Sequence, residues 1–308
     1  MKSKSLVLVL LAASSSGSVP ACDLCSIYSA AQAGGGASEG FYSGLAEQFT
    51  YISTLQDSGH EIVNSDHEYI KSSVSQLFGG YNFNSRFSLQ LNLPMVYRSY
   101  AWTGFHGEEW GAGDLSLIGN FVAYRSLREN STFAWTLLGG LKFPTGDSSW
   151  LGPRGDTITA LGIGGHDLAM GSGSYDGVIG TGVSARWKRL FMSANTQYAI
   201  RSGGDFDHQY ANDLTWSGGP GVYLALNHRY TVSLQCATSG EYKGKDTAHG
   251  IKDPDSAETI VYVGPQLNFT WSNKISAQAG VDLPVSIYNS DVQAVPDFRV
   301  HAAVTYRF

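Results

Sequence analysis

Histidine and aspartate lie close together in the sequence at two points where they could activate a water molecule. His166 and Asp167 are adjacent, and Asp205, Asp207 and His208 form a second short group. If two surface loops brought these groups together, an Asp/His pair could act as the general base of a hydrolase at the rim of the protein. Polar loops collect both residue types for other reasons, so the pattern favours an enzyme only weakly.

The sequence offers little support for other catalytic chemistry. None of the eight histidines is followed two residues later by serine, the spacing that would put a base and a nucleophile on one face of a strand. The glycine-rich segments at 162–165 and 171–173 do not lie between a strand and a helix, as a nucleotide-binding loop requires. We therefore predict no catalytic residue, no metal and no cofactor, and we expect the chain not to be an enzyme.

The three cysteines are Cys22, Cys25 and Cys236. In an oxidising compartment the close pair could form a local disulfide, bind a soft metal or do redox work. Attachment of a c-type haem is excluded because Ser26 stands where histidine is required. We expect either a Cys22–Cys25 disulfide or a cysteine that marks a processing site, and we place Cys236 on an apolar surface.

Charged side chains recur at every second position of strand-like segments, most clearly at the end of the chain. Apolar residues there alternate with a more polar set: Phe298, Val300, Ala302, Val304, Tyr306 and Phe308 against Arg299, His301, Ala303, Thr305 and Arg307. A period of two is typical of a strand with one apolar and one polar face. Similar alternation, strong or weak, predicts eleven more strands near 41–55, 68–82, 87–97, 112–125, 131–144, 174–187, 190–200, 210–226, 230–236, 261–271 and 275–287.

The connections between these twelve segments alternate between tight turns and longer polar loops. The tight turns are at 82–85, 126–130, 187–189, 227–229 and 272–274, and the longer loops at 56–67, 100–111, 145–173, 202–209, 241–257 and 289–295. Strict alternation, with an even number of strands, is typical of an antiparallel transmembrane β-barrel with short periplasmic turns and longer extracellular loops. A soluble β-sandwich is the alternative, but it needs no such alternation.

Composition agrees with a β-barrel and excludes several other classes. The chain has 308 residues, 37 glycines, 15% charged residues, a mean hydropathy of −0.12 and a net charge of −6. No apolar run near 20 residues occurs beyond the amino terminus, which excludes a helical membrane protein. An acidic chain without a basic stripe is a poor candidate for nucleic-acid binding.

The amino terminus predicts export from the cytoplasm. Residues 1–21 combine Lys2 and Lys4, an apolar run and a small-residue cleavage site, as a signal peptide does. We expect a short flexible segment at 22–40, which contains the cysteine pair, and the barrel at 41–308. Lipidation of Cys22 after a lipobox-like cleavage is the competing interpretation.

The polar faces of the strands predict what lines the interior. The expected lumenal residues are Lys71, Arg86, Arg98, Lys142, Arg186, Arg201, Lys274, Arg299, His301 and Arg307, with Asp114, Asp213 and Asp282 among them. A net positive lumen would favour an anionic solute, and an aromatic solute is a further expectation. We therefore predict a passive channel or transporter-like barrel, with a structural or surface-interaction barrel closed by ion pairs as the alternative.

Three motifs carry a family resemblance. The segments Gly113–Leu117, Leu138–Asp147 and Gly171–Ser174 resemble the MetA-pathway phenol-degradation family of transporter-like outer-membrane proteins, over roughly residues 110–200. Tyr306 and the terminal Phe308 resemble the assembly signal of bacterial outer-membrane barrels. The resemblance implies location in the outer membrane of a Gram-negative bacterium. The implied partners are its lipid and lipopolysaccharide, the barrel-assembly machinery and an unidentified small solute.

Overall fold

A computed structural model describes residues 39–308. The expected signal peptide, the Cys22–Cys25 pair and residues 22–38 of the expected flexible segment lie outside the described residues. Twelve antiparallel strands form the wall: β1 (Gly40–Asp57), β2 (Tyr69–Asn82), β3 (Phe87–Trp102), β4 (Leu115–Leu127), β5 (Ser131–Phe143), β6 (Asp176–Trp187), β7 (Leu190–Ile200), β8 (Asp213–Leu226), β9 (Tyr230–Lys243), β10 (Glu258–Trp271), β11 (Ile275–Asn289) and β12 (Val292–Arg307).

The sheet closes because β12 pairs with β1, from Tyr42 opposite Arg307 to Asp57 opposite Val292. Closure removes the unpaired strand edges that an open sheet would expose. The prediction of an antiparallel twelve-stranded barrel is therefore confirmed. Within residues 39–308, no helix is long and apolar enough to cross a membrane.

The two faces of the wall differ as the alternation predicts. In β12, Arg299, Thr305 and Arg307 are buried inside the barrel, while Val300 and Val304 are exposed on the outside. Aromatic side chains form two belts on the outer surface: Phe87, Phe133, Trp187, Tyr230, Trp271 and Tyr306 near the short turns, and Tyr97 and Tyr198 near the long loops. We call these two ends of the barrel the turn end and the loop end.

Close packing of neighbouring strands explains one of the glycines in the wall. At Gly264 of β10, an added Cβ would lie 1.6 Å from the carbonyl oxygen of Val281 in β11. Real Cβ atoms do not approach an oxygen so closely, so any other residue would push the two strands apart.

The last connection differs from the predicted long loop at 289–295. Ser290 and Asp291 alone join β11 to β12, and Asp291 has a φ of 56°. The pairing of β1 with β12 extends further than the sequence pattern predicted. β1 continues to Asp57, and its Leu55 lies opposite Ala294 of β12. Val295 has no exposed surface. Residues 292–295, which were predicted as part of a loop, therefore belong to the buried start of β12.

Several other loops are also partly ordered. A strand at Phe105–Ala112 forms a hairpin with Met95–Trp102, the last part of β3. The segments His208–Gln209, Thr247–Ala248 and Ile251–Lys252 form a small separate sheet that connects two loops. In the longest loop, residues 144–175, short helical turns occur at Ser149–Leu151, Gly155–Thr157 and Gly165–Leu168.

Candidate functional site

Five charged side chains form a chain of ion pairs inside the loop end of the barrel. The Lys142 ammonium lies 2.9 Å from Asp114 and 2.8 Å from Asp176. The Arg201 guanidinium lies 2.9 Å from Asp176 and 2.6 Å from Asp213. All five residues are buried. Acid and base therefore alternate along the inner wall, which lowers the cost of removing these charges from water.

Strand register places these residues together. Lys142 in β5 lies directly opposite Asp176 in β6. Asp114 immediately precedes β4, Arg201 immediately follows β7, and Asp213 begins β8. Each group thus stands at the loop end of one of five consecutive strands, with its side chain turned inward.

The same carboxylates hold both ends of the long loop 144–175, which we call the inserted loop. Asp114 accepts hydrogen bonds from the backbone N–H of Gly146 at 3.0 Å and of Ser172 at 2.8 Å. Ser174 donates to Asp176 through its hydroxyl at 2.7 Å. Glu68, also buried, accepts from the backbone N–H of Gly162 at 3.0 Å. The inserted loop is therefore held at its start, middle and end.

The inserted loop packs its apolar residues against the inner face of β2 and β3. Trp150, Leu168 and Ala169 form a buried cluster with Tyr100 and Ile70. Met170 extends a second cluster, which also contains Val74, Phe78 and Val96. The side chain of Arg98 donates a hydrogen bond of 2.7 Å to the carbonyl oxygen of Ala169. The loop thus occupies one side of the lumen at the loop end.

A cavity of about 580 Å³ remains across the lumen. Gln76 and Asn92 line it on the wall of β2 and β3, and Gln197, Arg201 and Thr215 line it on the opposite wall. A second cavity of about 380 Å³ shares Gln197 and Thr215 and continues toward β9–β12. We call the two together the chamber. Both volumes include space that is open to solvent.

A second charge cluster lies at the far side of the chamber. Asp282 accepts a hydrogen bond of 3.0 Å from Arg299 and lies 3.2 Å from the Nδ1 atom of His301. The Arg299 guanidinium lies over the ring of Tyr262, 4.1 Å from its centre. Here, too, the base has an acid partner.

Most of the expected lumenal residues face the interior. Arg98, Lys142, Arg201, Asp213, Asp282, Arg299 and Arg307 are buried, and His301 and Arg186 are half-buried. Of these, Lys142, Arg201, Asp213 and Arg299 line the chamber. Arg307 bonds to the carbonyl oxygen of Asn273 and Arg186 to that of Lys188, so both lie in the turn end.

Three expected lumenal residues lie elsewhere. Lys71 is exposed on the outer face, with its ammonium 4.8 Å from the centre of the Tyr69 ring. Arg86 and Lys274 are exposed in the short turns. The expectation for Lys71 assumed that the polar face of β2 points inward. On this strand the inward face instead carries Ile70, Val74 and Phe78 against the inserted loop, and a shift of one residue reverses the face.

Sequence reasoning missed Asp176, Glu68 and the amide side chains of the chamber. Asp176 could have been found, because it occupies the first inward position of β6 in phase with Val178. Glu68 precedes β2 in a loop, and its role depends on a backbone segment almost one hundred residues later. Nothing local to Glu68 indicates that partner.

The Asp/His groups that suggested a hydrolase are divided among separate contacts. The loops do meet, since Tyr210 donates a hydrogen bond of 3.1 Å to the carbonyl oxygen of His166. Asp205, however, accepts from Ser148 at 2.6 Å, and the side chain of Asp207 is 88% exposed. Burial lowers the pKa of His208 to about 4, which makes it a weak base near neutral pH.

Comparison with known proteins gives structural matches. No protein-family model and no curated protein matches the chain. An outer-membrane channel from Pseudomonas putida F1 is similar over 88% of this chain and 96% of its own, with a TM-score of 0.63 and 14% identity. The translocator domain of the autotransporter NalP from Neisseria meningitidis is similar over 92% of this chain and 93% of its own, with a TM-score of 0.45 and 11% identity.

The toluene transporter TodX from P. putida is a weaker match, with a TM-score of 0.39, 9% identity and coverage of 88% and 91%. Identities this low show a shared fold alone. The fold is that of the P. putida F1 outer-membrane channel, and the resemblance to the MetA-pathway family stays a prediction.

Proposed function

We propose that the protein is an outer-membrane channel through which a small solute passes by diffusion. The observation that carries the proposal is the chamber, which spans the lumen between the wall of β2 and β3 and that of β7 and β8. The outer surface, with its two aromatic belts, suits a bilayer. A channel from P. putida F1 has the same fold. We propose no covalent chemistry for the barrel.

In the proposed mechanism the inserted loop narrows the loop end, and solutes pass beside it on the side of β5–β8. The ion pairs hold the loop against the opposite wall. Lipid and lipopolysaccharide would surround the outer face. Tyr306 and Phe308, exposed at the end of the chain, would be the signal that the barrel-assembly machinery recognises.

A closed structural barrel is the second candidate. It is favoured by the paired charges and by the apolar contacts of the inserted loop, because both narrow the mouth. Single-channel recordings in planar bilayers separate the two functions, after folding is verified by heat-modifiable gel mobility. We expect discrete openings of the wild-type protein.

A variant in which residues 149–168 are replaced by a short glycine-serine linker should conduct more. The matched control shortens the first loop at His60–Ile62, which pairs with the end of β1 and is largely exposed. If the wild-type protein and the 149–168 variant both stay silent while folded, the channel function is contradicted and the structural function is supported.

A further inference from the structure

The charged groups of the chamber have little capacity left to bind an ion. The Lys142 ammonium has three hydrogens, and it contacts Asp114, Asp176 and the hydroxyl of Ser172, each within 2.9 Å. Arg201 directs Nε and Nη2 to Asp213 and Nη1 to Asp176. An anion that entered the chamber would have to displace a buried carboxylate from its partner.

The carboxylates are equally engaged. One carboxylate oxygen of Asp114 accepts a hydrogen bond from the backbone of Gly146, and the other accepts hydrogen bonds from Lys142 and Ser172. One carboxylate oxygen of Asp176 accepts hydrogen bonds from the Ser174 hydroxyl and the backbone of Ser202. The other oxygen contacts Lys142 and Arg201. The lining also shows no excess of positive charge, since four acids (Asp114, Asp176, Asp213 and Glu241) face three bases (Lys142, Arg201 and Arg299).

Neutral polar side chains in the same chamber keep hydrogen-bonding capacity for a solute. Gln197 lies at the junction of the two cavities and directly opposite Thr215. Asn195 and Ser217 form the next inward pair of the same two strands. Among the described residues, none provides a side-chain hydrogen-bond partner for any of these four groups. An amide can donate and accept together, and a hydroxyl can do the same.

We infer that the chamber selects a neutral solute rich in hydroxyl groups, of the polyol or monosaccharide class. This inference rests on the proposed function and replaces the expected preference for anions. Four neutral groups arranged in two adjacent pairs can exchange hydrogen bonds with successive hydroxyls of one molecule. An ion would lose its hydration shell without gaining a free counter-charge.

Three probes of nearly equal size test the inference: glucose, the anion gluconate and the cation glucosamine. Swelling of proteoliposomes measures their entry, with folding verified for each preparation. We expect glucose to enter several-fold faster than either ion. Faster entry of gluconate or glucosamine, or equal entry of all three, would overturn the inference while leaving the channel function intact. Absence of entry for all three into a preparation that shows single-channel openings would also overturn the inference, whereas absence of both entry and openings would contradict the channel function itself.

A double variant, Gln197→Leu with Thr215→Val, links the selectivity to these residues. Both changes keep approximate shape and remove the open polar groups. We expect glucose entry to fall several-fold, with little change in potassium chloride conductance. The matched control is Thr196→Val, because Thr196 belongs to the same strand but is exposed on the outer face. Unchanged glucose entry in the double variant, or an equal loss in the control, would remove the four groups from the proposed path.

Discussion

The two sides of the lumen are built from opposite chemistries. The inner wall of β2 and β3 carries an apolar cluster that packs against Met170 of the inserted loop through Val74, Phe78 and Val96. The inner wall of β5–β8 carries Lys142, Asp176 and Arg201 and borders the chamber. The difference shows how a barrel can hold a large loop inside its mouth and still keep open space. One wall binds the loop by burial, and the other fastens its ends by charge.

The largest effect should come from breaking the charged wall. Lys142→Met leaves Asp114 and Asp176 buried without their shared base, and we expect a loss of about 3 to 5 kcal/mol in the free energy of unfolding. Urea unfolding followed by tryptophan fluorescence in lipid measures it.

The control for this prediction is Lys252→Met, since Lys252 is exposed in a loop. A loss below about 1 kcal/mol, the usual value of a surface ion pair, would show that the charged wall does not hold the loop.

The apolar wall should be somewhat less sensitive. Leu168 has no exposed surface, and Leu168→Ala should cost about 2 to 4 kcal/mol through lost burial and a new cavity. A looser loop should also raise channel conductance. The matched control in the same loop is Leu161→Ala, because Leu161 is 58% exposed. Equal losses in the two variants would contradict the packing of the inserted loop.

Protonation of His208 should weaken the loop end below neutral pH. Burial lowers its pKa from 6.5 to about 4, so the unfolded chain binds more protons between these values. The contribution of His208 to stability is complete above pH 6.5 and is lost as the pH falls toward 4. At about 1.4 kcal/mol per unit, the loss reaches about 3.5 kcal/mol at most.

The neighbouring carboxyl of Asp253 should change the stability with pH in the opposite direction. Burial and a hydrogen bond to Asp255 raise its pKa from 3.8 to about 7, so its contribution is complete at low pH and is lost as the pH rises toward 7. Thermal unfolding between pH 4 and 7.5 should therefore show less acid sensitivity in His208→Gln and more in Asp253→Asn. The exposed His60→Gln is the control, and an unchanged profile in all three variants would contradict both assignments.

The smallest effect concerns a carboxylate on the outside of the apolar wall. Glu47 in β1 accepts hydrogen bonds from Ser73 and Ser75 on the outer face of β2. Glu47→Gln keeps the capacity to accept these bonds, so we expect a change in unfolding free energy within about 1 kcal/mol. A loss as large as that of Lys142→Met would mean that charge matters equally inside and outside the barrel.

The site was less predictable than the wall that carries it. Lys142 and Arg201 were placed in the lumen because they alternate with exposed apolar neighbours in their own strands. Lys71 fails the same rule because β2 is apolar on its inner side, facing a loop that lies some eighty or more residues further along the chain. Likewise, charge counting indicated an anion path, whereas the distances around Lys142 show that its three hydrogens are already used.

Local patterns in the amino-acid sequence were enough to predict the twelve strands, their alternating faces and most of their turns, because a period of two is a local property of an extended chain. Tertiary structure decided which residues fill the lumen, where the inserted loop packs and which charges neutralise one another. These features depend on contacts between residues far apart in the chain, such as Glu68 with Gly162 and Asp114 with Ser172. The free energy of such contacts depends on burial and exact distance, neither of which a local pattern contains.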